Sequence, residues 1–192
     1  KLQIKEINDY VLSLKSAAKH WYNTFNPENN GDLTNSESVL LDKLNRIGIG
    51  YFRPLVMSSY CSSAVSGSDR IKLLSNIERF IFIAFRLSRA MSNYRNRSYF
   101  NVTRELYNGQ KSVADVINLL NEDLHWTNDE NGNYKYSYFK DYIYRKFKSG
   151  GKGFYGWNGL RYFLFEYEEE LMKLRNQPKI SWKYFVKSAK DK

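Results

Sequence analysis

The sequence predicts an all-α fold, an irregular multi-helix bundle of about seven to nine helices around one central apolar helix, with at most one small β-hairpin. Three observations carry this. Apolar residues recur at helical spacing in almost every segment. Two Thr/Ser-x-x-acid pairs, Thr34 with Glu37 and Ser112 with Asp115, stand where helices would begin. Residues 69 to 91 are apolar on most sides over a length that no single strand reaches.

Taken in order, Ile4, Ile7, Val11, Leu14, Ala18, Trp21 and Phe25 alternate steps of three and four, which puts all seven on one side of a long first helix ended by Asn26-Pro27. A polar loop leads to the capping pair at Thr34 and a second helix through Val39, Leu40, Leu44 and Ile47, closed by Gly48 and Gly50. Pro54 suits the first turn of a third helix running through Met57 and Tyr60. After a small, polar stretch at Ser62 to Ser68, Asp69 to Met91 reads as the central buried helix. Ser98 to Tyr107 is a short helix stopped by Asn108-Gly109, and Ser112 caps the next, with Val113, Val116, Ile117, Leu120 and Leu124 on one face. Asn131-Gly132 marks a turn, and the alternation of Tyr134, Tyr136 and Tyr138 is where the hairpin would lie. Helix resumes at Phe139, breaks at Gly150 to Gly159, and returns with Leu160, Phe163, Leu164, Tyr167, Leu171 and Leu174 before Pro178.

The 192 residues fit one helical domain, 1–192, with sub-lobes expected at 1–66 and 67–192. Its 42% hydrophobic and 17% aromatic content is enough for a core. A single cysteine, Cys61, excludes an internal disulfide and any multi-cysteine metal site. With no apolar run of about 18–20 residues and no signal-like opening, a cytoplasmic protein without a membrane association is expected. The chain begins at Lys1 and stops at Lys192 in a charged stretch, from which a piece of a longer protein is expected.

Charge is unevenly spread. Residues 51–111 hold ten basic and three acidic side chains, 112–139 one and five, and 140–192 thirteen and six. Two basic blocks thus flank an acidic segment, a distribution that one phosphate-facing surface would have.

Catalytic patterns are tested against this background. Gly151-Lys152-Gly153-Phe154-Tyr155-Gly156 matches G-x-G-x-x-G, but a Lys- and Tyr-rich helix precedes it rather than the strand that dinucleotide binding needs. A phosphate-binding P-loop is absent. No lysine has an acid two positions before it, as a metal-dependent restriction nuclease would have, and His20 and His125 fall on different helices. Ser58-Ser59 and Ser62-Ser63 lack an activating base, and Cys61 reads as a structural thiol. No catalytic or metal-ligating residue is assigned, and no cofactor is expected on this chain.

What remains is cationic. Arg79, Arg86 and Arg89 share one stripe of the apolar helix, where pairing with Glu78 or Glu105 is the structural alternative, and Arg95 and Arg97 continue the series. Lys146, Lys148 and Lys152 surround the glycine loop. Arg95, Arg97, Lys146, Lys148 and Lys152 are therefore the candidate nucleic-acid-binding residues, holding phosphate without reading sequence.

The order of segments, with the Phe154-Tyr155-Gly156-Trp157 loop, the block Leu160-Arg161-Tyr162-Phe163-Leu164-Phe165-Glu166-Tyr167-Glu168 and the late Ile180-Ser181-Trp182, resembles the middle region of GmrSD-type restriction enzymes. In that family a ParB-like nucleotide-hydrolysing domain precedes a helical region and an HNH nuclease domain follows it. The Asp-Gly-Gln-Gln-Arg motif of the first and the histidines of the last are absent here. The resemblance implies a non-catalytic helical linker of a bacterial, NTP-stimulated DNA endonuclease in phage defence. Its partners would be the flanking domains and DNA, with NTP and a divalent metal used by the parent protein. Two other classes stay open on the residues: a stand-alone helical nucleic-acid-binding module, and a protein-interaction scaffold with no nucleic-acid role.

Overall fold

The computed structural model describes residues 3–29, 31–149 and 153–187. Among them the fold is all-α: helices α1 (Ile4–Phe25), α2 (Asn35–Ile47), α3 (Arg53–Cys61), α4 (Gly67–Phe80), α5 (Asn96–Tyr107), α6 (Val113–Glu122), α7 (Tyr136–Lys148), α8 (Leu160–Leu174) and α9 (Trp182–Lys187), with short 3-10 turns between several of them. No described helix is long and apolar enough to cross a membrane. The chain forms two compact units. The first comprises Lys1–Phe85 and Arg89–Tyr134, and the second Arg86–Ser88 and Lys135–Lys192. The sub-lobe boundary expected at residue 66 falls inside the first unit, between α3 and α4.

Local signals set the helix starts in the first unit. Thr34 Oγ1 accepts the Glu37 backbone N–H at 3.3 Å, while the Glu37 carboxylate accepts the Thr34 N–H at 3.0 Å, closing the capping box of α2. Ser112 and Asp115 do the same for α6. Each such cap is worth about 1 kcal/mol. Gly48, at φ 103°, ends α2 in the left-handed conformation that costs glycine little.

The core of this unit lies where α2 packs on α4, α3 on α5 and α1, and α4 on α6. Leu41, Leu44 and Ile47 of α2 and Leu73, Leu74, Ile77 and Phe80 of α4 are almost wholly removed from water. At about 1.5–3 kcal/mol per large apolar side chain, these seven are a major source of the unit's stability. Edge-on aromatic rings extend the core: Phe52 meets Phe80 at 5.4 Å and Tyr99 at 4.8 Å, and Phe80 meets Phe85 at 6.0 Å.

Three sequence expectations change in detail. The central helix is α-helical only from Gly67 to Phe80 and then widens into a π-helix at Ile81–Leu87. A π turn holds one more residue than an α turn, so it shifts the phase of the residues beyond it, and the chain leaves helix near Ser88, before Met91. The alternating tyrosines give no strand among the described residues. A single bridge joins Asn128 and Tyr134, and α7 has begun by Tyr136. The apolar seam of α1 is not buried along its length. Ile4 and Val11 are 80% and 55% exposed, whereas Thr24 at the other end is buried. Spacing identifies the apolar face but not whether a neighbour covers it.

That covered end is held by a cation. The buried Arg53 guanidinium of α3 lies 3.2 Å from the Phe25 ring centroid and donates to Thr24 Oγ1 at 2.8 Å and Asn45 Oδ1 at 3.2 Å. Burial pushes its pKa down to about 10, so it stays charged at neutral pH.

In the second unit Tyr142, Ile143, Trp157, Tyr162 and Phe165 are buried. The buried residues of α8 are Tyr162 and Phe165, although its spacing suggested the stripe through Phe163, Leu164 and Tyr167, all of which are exposed. Phe165 instead meets Trp182 and Phe185 of α9 at 5.0 and 5.5 Å, so the face of α8 that is buried is the one α9 covers. Trp157 donates its indole N–H to the Arg86 carbonyl at 2.8 Å, tying residues 86–88 to this unit.

Candidate nucleic-acid interface

The five predicted cationic residues fall on both units. Lys152 lies outside the described residues. Arg95 and Arg97 stand at the start of α5 in the first unit, and Lys146 and Lys148 in the last turn of α7 in the second.

Arg95 has a local partner. Its Nη2 lies 2.7 Å from Asp123 Oδ1 and its Nε donates to the same oxygen at 2.9 Å, while Tyr99 donates to Oδ2 at 2.8 Å. Tyr94 donates its hydroxyl to the Asp123 carbonyl at 2.9 Å, and Tyr51 donates to the Tyr94 carbonyl. The Asp123 side chain is 3% exposed and that of Arg95 50%, so a buried carboxylate is answered by a half-solvated guanidinium and a buried phenol. The hydrogen bond and charge of Asp123 raise the Arg95 pKa, and burial followed by the same charge raises that of Tyr99. Arg95 therefore meets a phosphate only by sharing its charge with Asp123. Arg97 is exposed and forms no ion pair with a described residue.

Of the remaining arginines, Arg79 donates to Asn121 Oδ1 at 3.0 Å. Arg86 is half-buried, and burial lowers its pKa.

Lys146 and Lys148 sit among aromatic rings. Lys148 Nζ is 4.7 Å from the Tyr144 ring centroid and Lys146 Nζ is 5.8 Å from that of Tyr142. Neither pairs with a described acid. Beyond the end of α7, residues Gly153–Gly156 form a 3-10 turn that folds back on the helix. Gly153 is at φ 44°, and a Cβ there would stand 2.5 Å from the Phe147 ring. A Cβ on Gly159 would likewise stand 2.6 Å from the Trp157 indole. These glycines of the loop are thus accounted for by the close approach of aromatic rings to backbone.

The turn and α7 flank an open groove of about 290 Å³ lined by Phe139, Lys140, Ile143, Tyr144, Phe147 and Phe154. Sequence reading found the lysines and missed this groove. The signal was present in the interleaving of rings and cations, Phe139-Lys140 and Phe147-Lys148, followed by Phe154 after the glycines. Asp123 was missed too, since nothing in the acidic segment distinguishes it from its neighbours before its burial is known.

Groups with catalytic potential are placed as packing elements. His20 stacks on Tyr60 at 5.9 Å, with its pKa lowered by burial and by Lys19 and Arg70. Burial raises the Cys61 thiol. Ser58 and Ser59 donate their hydroxyls to the backbone carbonyls of Thr103 and Val56. Among the described residues no three His, Cys, Asp or Glu side chains cluster as metal ligands would. Comparison with family models, with curated proteins and with solved structures finds no match to this chain.

Proposed function

We propose that this chain is the non-catalytic helical body of a GmrSD-like, NTP-stimulated DNA endonuclease of phage defence, linking a nucleotide-hydrolysing domain to a nuclease domain and holding DNA by its phosphates. The observation that carries the reading is the block from Phe154 to Glu168, whose residues carry the resemblance to that family. In the structure this block is a fixed turn leading into α8, anchored by the Trp157 indole on the Arg86 carbonyl. It shares a unit with α7, whose last turn carries Arg145, Lys146 and Lys148. Cations at that density, none paired with an acid among the described residues, suit a polyanion, and they bind it through counterion release rather than sequence readout. No step through a metal or a nucleotide is assigned to this chain, whose described residues form no ligand cluster. In this reading those groups belong to the flanking domains.

The test is cleavage by the complete gene product. Incubated with divalent metal and nucleoside triphosphate, it is expected to cut modified phage DNA, with nucleotide raising the rate. A complete product that cuts neither modified nor unmodified DNA under these conditions overturns the proposal.

A further inference from the structure

The groove beside α7 is open to solvent, apolar on its floor and cationic at its edge. Its walls are four aromatic rings, Phe139, Tyr144, Phe147 and Phe154, with Ile143 beneath. Phe147 and Phe154 stand edge to face at 5.7 Å and 88°, and Phe147 lies so close to Gly153 that any side chain there would displace it. These two half-exposed rings thus meet each other and the Gly153 backbone, which spares a ligand part of the cost of ordering them. Tyr144 remains 58% exposed, with the Lys148 ammonium over its ring. At about 290 Å³ the groove sits at the small end of ligand sites, enough for one or two rings and too small for a large cofactor.

We propose that this groove seats an unpaired base of a single-stranded nucleic acid, with Lys148 and Lys140 neutralising the phosphates that flank it. The inference rests on the nucleic-acid reading above and narrows it from any polyanion to a strand whose bases are free. Charge complementarity decides the occupant. α7 carries Lys140, Arg145, Lys146 and Lys148 against one acid, Asp141, which suits a phosphate backbone and disfavours a cationic peptide. A base in a duplex has both faces covered by its neighbours, whereas an unpaired base offers its π-face to aromatic rings and gains affinity by stacking on them. A lipid surface is also anionic, and binding to anionic vesicles is therefore an outcome that the test below separates from binding to a strand.

The test compares three DNA probes of equal length on the purified chain at low salt: oligo-dT with one central 2-aminopurine, the same strand with abasic sites, and a duplex. The single strand is expected to bind roughly ten-fold more tightly than the abasic strand, and the 2-aminopurine emission to fall on binding as the base stacks. Tyr144→Ala removes an exposed wall at little risk to folding. It should weaken oligo-dT binding by a similar factor, leave abasic binding unchanged and leave the salt slope intact. Equal binding of oligo-dT and abasic strands with unchanged emission overturns the groove while leaving phosphate holding in place. Absence of binding to every nucleic-acid probe, or capture of anionic vesicles in their stead, overturns the nucleic-acid reading as well.

Discussion

Arg95 is the candidate residue whose two roles can be separated by stability. It occupies the left-handed region, at φ 56° and ψ 21°, as the residue preceding α5, a conformation that costs a non-glycine residue about 1–2 kcal/mol. Its guanidinium answers a carboxylate that is 3% exposed. Hydrogen bonds to charged groups are worth about 1.5–3 kcal/mol, and the half-exposed Arg95 side chain places this pair at the low end. Arg95→Ala loses the pair and keeps the backbone cost, so it should lower unfolding free energy by about 1.5–2 kcal/mol. Arg95→Gly loses the same pair but relieves the backbone, and should lie about 1 kcal/mol nearer the parent. Arg97→Ala, two residues on and without an ion-pair partner among the described residues, should change stability by less than about 0.5 kcal/mol. Urea denaturation followed by circular dichroism measures all three through the shift in midpoint. If Arg95→Gly is no better than Arg95→Ala, or Arg97→Ala costs as much as either, the account of the Asp123 cluster is wrong.

Two further predictions concern packing and pH. Alanine at Gly153 or Gly159 would drive a Cβ into Phe147 or Trp157, so each should cost about 1–3 kcal/mol in a thermal melt. Alanine at Gly67, where no atom lies within 4 Å of the added Cβ, should be neutral or slightly stabilising. Burial, reinforced by the Asp123 charge, holds the Tyr99 phenol above its ordinary 10 and pushes Tyr51 up to about 12. A folded value above the unfolded one contributes stability that is complete below about pH 10 and is lost as pH rises through the folded values. Tm should therefore hold level from about pH 7 to 9 and fall above 10, with a smaller alkaline loss in Tyr99→Phe.

Much of this architecture was legible because it is written in local chemistry. The capping boxes at Thr34 and Ser112, the stop at Asn26 and the proline opening α3 each act within a few residues, so the chain itself contains their cause. What spacing could not supply is the partner of each face. Ile4 and Val11 share a perfect seam with Thr24's end of α1, yet only that end meets α3 and its Arg53. Phe163 and Tyr167 have the cleaner period on α8, yet Tyr162 and Phe165 are buried. The candidate site divides in the same way. Lys146 and Lys148 follow from charge, which sequence counts. The groove depends on a turn returning against α7 over Gly153, and Arg95's neutralisation depends on Asp123 being brought to it from 28 positions away. Contacts of that range are set by the tertiary fold.

The central claim is that the basic end of α7 holds nucleic acid by its phosphates. Its most direct measurement is the salt dependence of DNA binding by the protein carrying Lys146→Ala, Lys148→Ala and Lys152→Ala together, with the thermal melt as the control for folding. The account predicts weaker binding, a salt slope reduced by about one unit for each lysine that contacts phosphate, and an unaltered melt. Unchanged affinity and an unchanged slope in that variant would contradict it and return the loop after α7 to a plain connection between helices.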